Sequence, residues 1–476
     1  MTGNDQSWAH YQAALKVARI LTKHGFEAYL IGGAVRDILL GHLPKDFDLV
    51  TNAKPDEILA LPELEKAIYQ DPAQAFGVTR VRVPFAIRDQ NYQSEVEVAT
   101  YRRDIEAHLG RKATKIEFAH LEDDVERRDF TINALALDLA NDYLVDYVGG
   151  LEDLEQKSLR FIGEPRQRIQ EDPLRLLRGI RLKHQLNFQY QSESEAAIKE
   201  AVAQGFIEQI ATERLRDELT RMLIHSSRAQ ALKELDDFGI LKRILPEVAA
   251  GHGVPQPPQF HSEGDVWTHT VLALEYLPGV ISPRLAWATL LHDVGKPLTY
   301  QAAEVTGDRI RFSEHYERGA ELAKQILTRL RFGRAMIDDV VWMIRYHLTI
   351  DELEAMRPGR RQRMLEHPAF ADLFLLHKAD AHASWRLTPE GKIDKSAPAF
   401  PAIERLWQEW QATKHQPRPS LKRDLGIDGG WLKQEFNLES GPKLGRILEQ
   451  LQEAYLDGEI KTGSDAAKLV KKLLAG

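Results

Sequence analysis

The residues with the clearest chemical potential are two aspartates, Asp46 and Asp48, separated by a single phenylalanine. In an extended chain, side chains two positions apart point to the same face, whereas Phe47 and Leu49 point to the opposite face. The pattern predicts a β-strand over 47–50 with both carboxylates on one side. Two carboxylates placed in this way can hold a hard divalent cation such as Mg²⁺.

A glycine pair lies upstream of the aspartates, between an apolar segment that ends at Ile31 and the start of a helix. Because glycines lack side chains, Gly32 and Gly33 let backbone N–H groups approach a phosphate, and Arg36 can add charge-assisted hydrogen bonds. An Asp-x-Asp sequence alone is more often a loop or a helix cap. After this strand–turn–helix unit, it predicts a site for Mg²⁺ and a triphosphate.

Alternating strands and helices must position these residues. Apolar periodicity and turn signals predict helices over 9–25 and 34–40, strands over 26–31, 47–50, 78–85 and 94–100, and a helix that begins at Pro55. Glu97 alternates with valines in the last of these strands and is a candidate third carboxylate for the metal site. A solvated strand face is the alternative explanation for Glu97.

From about residue 151 onward, apolar residues recur at helical spacing and strand signals fade. The predicted fold class is therefore α+β, with a small mixed α/β head followed by a long all-α body. Breaks rich in glycine and proline divide the chain further. The predicted domains are a catalytic head (1–150), a helical neck (151–258), a second helical domain (259–388) and a helical tail (389–476).

Two further motifs are rich in arginine. In the first, Arg127 and Arg128 precede Asp129. Paired arginines suit a polyphosphate, and Asp129 could accept a hydrogen bond from a ribose 2′-hydroxyl and so select ribonucleotides. A charged first helical turn is the structural alternative for this motif.

The second motif begins at Asp172, which precedes Pro173 and could cap a helix that continues through three arginines at helical spacing. A sharper interpretation is base recognition by Asp172 and Arg175. Cytosine and adenine each present an amino donor beside a ring-nitrogen acceptor, so a carboxylate and a guanidinium can pair with either base. Uracil and guanine present the opposite pattern and would be rejected.

Four motifs, taken in order, resemble the class II tRNA nucleotidyltransferases, which are the bacterial-type CCA-adding enzymes, and the bacterial poly(A) polymerases share them. They are Gly-Gly-Ala-Val-Arg-Asp (32–37), Asp-Phe-Asp (46–48), Arg-Arg-Asp-Phe-Thr-Ile-Asn-Ala (127–134) and Glu-Asp-Pro-Leu-Arg-Leu-Leu-Arg (171–178). The resemblance implies a polymerase-β-like head. The residues expected in the site are Asp46, Asp48 and Glu97 for catalysis, with Mg²⁺ on Asp46 and Asp48, and Gly32, Gly33, Arg36, Arg128, Asp129, Asp172, Arg175, Arg178 and Arg181 for nucleotide binding.

The resemblance implies template-independent addition or repair of the 3′-terminal CCA of tRNA from CTP and ATP, with release of pyrophosphate. The expected partners are the tRNA 3′ end, CTP and ATP, and the tail is expected to bind RNA. In the family a flexible loop, here 102–115, assists the switch from CTP to ATP. A poly(A) polymerase and a tRNA enzyme that adds only CC or only A are the alternatives.

The helical body contains a second pattern, which resembles the HD phosphohydrolase superfamily and has Leu290-Leu291-His292-Asp293-Val294-Gly295-Lys296-Pro297 as its core signature. The resemblance implies an HD domain over 259–388 that holds one or two divalent transition metals and hydrolyses phosphomonoesters or cyclic phosphodiesters. Lys296 could contact the phosphate. The expected ligands are His269, His292, Asp293, His315, His347 and Asp380. An alternative from another class is a metal phosphohydrolase whose head only binds RNA.

Composition limits the remaining possibilities. A chain of 476 residues is too long for one core and predicts three or four domains. The absence of cysteine excludes disulfides and thiolate ligands, so a metal must be held by His, Asp or Glu. The start of the chain lacks a signal-peptide pattern and no apolar run reaches roughly 18 residues, which predicts a cytoplasmic protein without a membrane partner. The net charge of −8 neither selects nor excludes nucleic acid.

Overall fold

The computed structural model divides the chain into two compact units, residues 1–245 and 246–476. The four predicted domains divide the chain more finely than this, and their boundaries stay predictions. The structure describes residues 3–64, 77–87, 90–106, 115–416 and 419–475.

The first unit is built on a mixed β-sheet. Its first eight strands are β1 (Ala28–Ile31), β2 (Leu49–Thr51), β3 (Val78–Ile87), β4 (Gln90–Thr100), β5 (Arg102–Glu106), β6 (Lys115–Phe118), β7 (Ala136–Asp138) and β8 (Tyr143–Val145). Six of them form one sheet in the order β3-β4-β2-β1-β7-β8, while β5 and β6 pair separately. Strands β2 and β4 are parallel, and the other neighbours are antiparallel. The predicted mixed α/β head is confirmed.

Helices cover this sheet and continue beyond it. They are α1 (Gly3–Lys23), α2 (Gly33–Leu39), α3 (Pro55–Leu59), α4 (Leu121–Glu126), α5 (Gly150–Glu155), α6 (Pro165–Glu171), α7 (Leu174–Leu186), α8 (Ser192–Ala203), α9 (Thr212–Leu223), α10 (Arg228–Asp237) and α11 (Ile240–Ile244), with β9 (Ser158–Leu159) paired to β10 (Gln189–Tyr190). Helix α1 packs on β3 and β4 through an apolar stripe. Ala14, Val17 and Leu21 of that stripe are fully buried, as expected for side chains at helical spacing.

The prediction of a strand over 47–50 was wrong at its start, because β2 begins at Leu49. The register pairs Leu30 with Leu49, so Gly32 would have to face Phe47 for the ladder to continue. Gly32 instead has a φ of 81° and turns the chain into α2. Because the partner strand ends at this turn, the segment that carries both aspartates lies just before the ladder.

The second unit is helical apart from four two-residue strands among its described residues. The helices are α12 (Pro246–Ala249), α13 (Val266–Glu275), α14 (Pro283–Leu291), α15 (Lys296–Thr299), α16 (Ala303–Thr306), α17 (His315–Arg329), α18 (Arg334–Tyr346), α19 (Pro358–Glu366), α20 (Phe370–Ala383), α21 (Pro401–Thr413), α22 (Leu421–Leu425), α23 (Gly429–Phe436), α24 (Pro442–Leu456) and α25 (Gly463–Ala475). The strands pair as β11 (Tyr300–Gln301) with β12 (Arg311–Phe312) and β13 (Arg386–Leu387) with β14 (Ile393–Asp394). The predicted all-α body is confirmed. Among the helices described, none is long and apolar enough to cross a membrane.

The flexible loop predicted over 102–115 is partly replaced by regular structure. Residues 102–106 and 115 belong to β5 and β6, which form an antiparallel pair. The remaining residues, 107–114, lie outside the described residues.

Close backbone packing at Gly295 gives a prediction about stability. A Cβ added to Gly295 would lie 2.1 Å from the His315 carbonyl oxygen and 2.6 Å from the Gly319 amide nitrogen. Because both neighbours are backbone atoms, we expect Gly295→Ala to destabilise the protein by about 1–3 kcal/mol. Thermal unfolding of Gly279→Ala is the control, since a Cβ there meets nothing within 4 Å. Equal midpoints for the two variants would contradict this packing.

Candidate active site and metal centre

Three carboxylates lie close together where β2 begins beside β4, in the interior of the head sheet. Asp46 and Asp48 are exposed, while Phe47 and Leu49 between and after them are buried, so the predicted alternation of faces is present. The parallel register places Leu49 beside Val98. This register brings Glu97 next to Asp48, and the three predicted catalytic carboxylates share one surface.

The crowding of negative charge changes the acidity of Asp48. Loss of surrounding water, together with the charges of Glu97 and Asp46, raises the pKa of Asp48 to about 6, and Arg128 acts in the opposite direction. Asp48 keeps contact with solvent, so its repulsion with the neighbouring carboxylates can be relieved by a cation that reaches the site. All the donor atoms are carboxylate oxygens, which suits Mg²⁺.

The glycine turn lies between two guanidinium groups. A Cβ at Gly32 would be 3.8 Å from Arg128 Nη1, and one at Gly33 would be 3.3 Å from Arg36 Nη2. Arg36 donates to Asn133 Oδ1 at 2.6 Å and to the adjacent Asp37 carboxylate at 2.7 Å. The structure therefore brings Gly32, Gly33, Arg36 and Arg128 together, with positive charge on both sides of the turn.

Asp124 anchors the arginine pair and was not singled out by the sequence analysis. Its carboxylate is fully buried and accepts hydrogen bonds from Arg127 Nη2 at 2.6 Å and from Arg128 Nη2 at 3.0 Å. Burial opposes ionisation, but the charges of Arg128 and Arg127 keep the pKa of Asp124 below its usual value. The spacing of three and four residues, from Asp124 in α4 to the two arginines just after the helix, was the available signal.

Asp129 is nearly buried and already has protein partners. Its Oδ1 accepts from the Phe130 amide at 2.8 Å and from Asn133 Nδ2 at 3.3 Å. Its Oδ2 lies 2.9 Å from Arg178 Nη2, so two predicted nucleotide-site residues form an ion pair. The predicted contact between Asp129 and a ribose hydroxyl stays a prediction.

Asp172 lies between α6 and α7, where it accepts from the Leu174 amide at 3.2 Å. Pro173 occupies the position before the first residue of α7, so Asp172 is not the N-cap residue itself, although its side chain satisfies an N–H group of the first turn. Both carboxylate oxygens of Asp172 also accept from Arg214, at 2.9 and 2.7 Å. Arg214, on α9, carries no signal that links it to Asp172 in the sequence.

The two predicted base-reading groups do not contact each other through their side chains. Arg175 donates to Glu171 Oε2 at 3.1 Å and to the carbonyls of Arg168 and Arg127, each at 2.9 Å. Arg181, the remaining predicted residue, forms an ion pair with the buried Glu218. Base recognition by Asp172 and Arg175 stays a prediction.

Helices of the second unit bring six predicted metal ligands together. They are His269 in α13, His292 and Asp293 after α14, His315 at the start of α17, His347 after α18 and Asp380 in α20. Asp293 Oδ2 lies 3.3 Å from His292 Nε2 and 3.6 Å from His269 Nε2, while Oδ1 lies 3.5 Å from His315 Nε2. Asp293 thus belongs to two sets of side chains, one with His269 and His292 and one with His315 and His347. In each set the potential ligand atoms lie close enough together to hold a metal ion.

The chemistry of these groups fits divalent cations. His315 Nε2 is buried and has no hydrogen-bond partner among the described residues. Burial lowers the pKa of His347 to about 4, which keeps its ring neutral, the form that binds a metal. Lys296 Nζ is also buried, 2.6 Å from Asp293 Oδ2 and 2.7 Å from Gln256 Oε1. A contact between Lys296 and a substrate phosphate stays a prediction.

The fold and these two sites define a nucleotidyltransferase head joined to an HD domain, and known families match both parts. Models of the poly A polymerase head domain and the HD domain match residues 28–160 and 267–383. A model described as "Probable RNA and SrmB- binding site of polymerase A" matches 187–251, and one of tRNA nucleotidyltransferase domain 2 matches 402–469.

Relatives extend this similarity over most of the chain. An A-adding tRNA nucleotidyltransferase of Deinococcus radiodurans is 32% identical over 94% of this chain and 95% of its own length. A multifunctional CCA protein of Halorhodospira halophila is 34% identical over 71% of this chain and 78% of its own length. The chain belongs to the tRNA nucleotidyltransferase family. The CCA-adding enzyme of Bacillus stearothermophilus, solved in complex with CTP, has the same fold, with a TM-score of 0.64, 22% identity and 98% of each chain covered.

The raised pKa of Asp48 predicts that Asp48→Asn stabilises the protein when divalent cations are removed. The folded carboxyl has a pKa of about 6 against an ordinary value of 3.8, so its ionisation costs folding free energy above pH 6. We expect a higher unfolding temperature for the variant at pH 8 and a much smaller difference at pH 4, where the folded carboxyl is protonated and the unfolded carboxyl, with its ordinary pKa of 3.8, is only near the midpoint of its titration.

Differential scanning fluorimetry in EDTA measures both differences, and the pH 4 measurement is the internal control. Added Mg²⁺ should stabilise the wild-type protein at pH 8 but not Asp48→Asn. A variant less stable than wild type at pH 8 would contradict the role of charge crowding.

Proposed function

We propose that this protein is a template-independent tRNA nucleotidyltransferase that builds or repairs the 3′-terminal CCA of tRNA from CTP and ATP. The observation that carries the proposal is the cluster of Asp46, Asp48 and Glu97 beside the Gly32 turn and Arg128. This cluster supplies a cation site and a polyphosphate site within one surface. Membership of the tRNA nucleotidyltransferase family, with its CCA-adding and A-adding members, agrees with this chemistry.

The proposed mechanism assigns a task to each group. Asp46 and Asp48 would hold Mg²⁺, which would supply Lewis-acid activation of the RNA 3′-hydroxyl and charge stabilisation on the pyrophosphate. Arg36 and Arg128 orient the triphosphate on either side of the glycine turn. Asp124 keeps the Arg128 guanidinium in place, because a buried carboxylate leaves the arginine one preferred orientation.

Base selection is proposed for Asp172 and Arg175, with Arg214 as support. Arg214 donates to both oxygens of Asp172, and this bidentate pairing fixes the plane of the carboxylate. A fixed carboxylate plane is what recognition of a planar base edge requires. RNA contacts are proposed for the tail, where Lys468, Lys471 and Lys472 are exposed on α25 and can approach phosphates.

A narrower activity, the addition of only the terminal A, is the second candidate. It is favoured by one observation, the similarity to the A-adding tRNA nucleotidyltransferase of Deinococcus radiodurans over 94% of this chain. The two candidates share the same carboxylates and arginines. They differ in whether the pocket also accepts CTP.

The deciding experiment uses two tRNAs, one that lacks the last three nucleotides and one that lacks only the terminal A, each with CTP, ATP or both. CCA addition predicts growth by two residues with CTP and by three with both nucleotides. An A-adding enzyme would extend only the second tRNA and only with ATP. Long tails from ATP on any RNA end would instead indicate a poly(A) polymerase.

For the HD domain we propose divalent-metal-dependent hydrolysis of phosphomonoesters or cyclic phosphodiesters. The supporting observation is the shared carboxylate of Asp293, which can serve two metal ions at once. Imidazole nitrogens form most of the ligand set, which favours transition metals such as Ni²⁺ or Zn²⁺ over Mg²⁺.

The two activities should be separable by substitution. Asp46→Ala is expected to lower nucleotide addition by at least about 1,000-fold, because the cation loses a ligand at the reacting phosphate. The same variant should retain hydrolysis of a model phosphodiester such as bis-p-nitrophenyl phosphate. Asp380→Asn should lose phosphodiester hydrolysis and retain nucleotide addition. Asp56→Ala, on an exposed turn of α3, is the matched control for Asp46→Ala and should retain both activities. Loss of both activities in either variant would contradict two independent sites.

Arg214 gives a separate prediction about base selection. Arg214→Ala frees the Asp172 carboxylate, so we expect the preference for ATP over GTP to fall by roughly 10- to 100-fold, as for the loss of one well-oriented polar contact. Arg214→Lys keeps the charge but not the bidentate geometry and should lose most of the preference as well. Arg221→Ala on the same helix is the control, since its side chain is 65% exposed and lies 3.9 Å from Glu218 rather than beside Asp172. Unchanged selectivity in Arg214→Ala would contradict this role.

A further inference from the structure

Three of the four histidines in the HD site are oriented by backbone carbonyls. His292 Nδ1 lies 2.8 Å from Thr289 O, His315 Nδ1 lies 2.9 Å from Phe312 O, and His347 Nδ1 lies 2.6 Å from Ile344 O. A carbonyl oxygen can only accept a hydrogen bond, so each Nδ1 carries the proton. In the neutral ring, which is the form that binds a metal, each Nε2 then has a lone pair for a cation.

His269 is oriented by a side chain instead. Its Nδ1 lies 2.9 Å from Oε1 of Glu263, and its Nε2 lies 2.9 Å from Asp380 Oδ1. The Glu263 side chain has 0% exposure. It also accepts from His261 Nδ1 at 2.7 Å and from the Trp385 amide at 2.9 Å, so three donors surround one buried carboxylate.

The same contacts join two elements that carry metal ligands. Glu263 lies just before α13, which holds His269, whereas Trp385 follows α20, which holds Asp380. Ser262 reinforces the connection, because its amide and its hydroxyl donate to the Trp385 carbonyl at 2.9 and 3.0 Å. The segment around Glu263 therefore ties the start of α13 to the end of α20.

We propose that Glu263 is a positioning residue for the metal centre of the HD domain. It fixes the proton of His269 on Nδ1 and holds α13 against the end of α20, so that His269 Nε2 and Asp380 Oδ1 converge on one cation. A carboxylate acceptor also makes the ring more basic at Nε2 than a carbonyl acceptor does. The inference rests on the proposed HD metal site and adds a determinant of its affinity.

The test measures metal affinity of the full-length protein rather than turnover. Metal-stripped wild type, Glu263→Gln and Glu263→Asp are titrated with Ni²⁺ by calorimetry, with Mg²⁺ in excess to occupy the carboxylates of the head. We expect Glu263→Gln to bind Ni²⁺ about 10- to 100-fold more weakly, as for loss of a carboxylate behind a ligating histidine. Glu263→Asp keeps the charge but not the reach and should also bind more weakly.

Asp265→Asn is the matched control for local folding. Asp265 lies two residues further along, and its carboxylate accepts from the Thr268 and Gly253 amides, each at 2.8 Å. Its only link to a predicted ligand among these bonds is its backbone carbonyl, which accepts from the His269 amide at 3.1 Å and is unchanged by Asp265→Asn. Its Ni²⁺ affinity should stay within about twofold of wild type. Thermal unfolding of each metal-free variant verifies that the protein is folded. If Glu263→Gln does not fold, Glu263→Asp is used as the test variant instead.

Three results would overturn the inference. Wild-type affinity in Glu263→Gln, or in Glu263→Asp if that is the variant tested, would remove the positioning role. An equal loss in Asp265→Asn would show that the whole segment, rather than the carboxylate, supports binding. If wild type itself binds no Ni²⁺, the proposed HD metal site fails and this inference fails with it.

Discussion

The head site depends on one constraint, the position of β2 between the antiparallel strand β1 and the parallel strand β4. The pairing with β4 brings Glu97 beside Asp48, and the pairing with β1 ends where Gly32 turns the chain. Both halves of the proposed site, the carboxylates and the phosphate-facing turn, are therefore consequences of a single register. A shift of one residue would send Asp46 and Asp48 to the apolar face and bury charge without compensation.

A second principle is common to both units: buried carboxylates orient the arginine, lysine and histidine side chains of the two candidate sites. Asp124 holds Arg127 and Arg128, Asp129 pairs with Arg178, and Glu218 pairs with Arg181. In the second unit, Asp293 pairs with the buried Lys296. Under the proposed function, this arrangement lets a chain with a net charge of −8 present arginines to a polyphosphate, because part of the acidic excess lies behind them and orients them.

The sequence predicted well what depends on local spacing. The alternation of faces around Asp46 and Asp48, the glycine turn and the helical body follow from short-range patterns. Contacts between segments far apart in the sequence could not be predicted, because no local pattern links the two partners. Arg214 reaches Asp172 across 42 positions, and Glu263 reaches the Trp385 amide across 122. The start of β2 was also misplaced, since it depends on where the partner strand ends rather than on the residues of β2.

The contrast between the four histidines of the HD domain also bears on how such a domain changes over generations. The carbonyls behind His292, His315 and His347 belong to the main chain, so no substitution at Thr289, Phe312 or Ile344 can delete them. The support of His269 is a side chain and can be lost by one nucleotide change. In a lineage that no longer needs the proposed metal, loss of the centre can begin at that carboxylate while all six predicted ligands are still encoded.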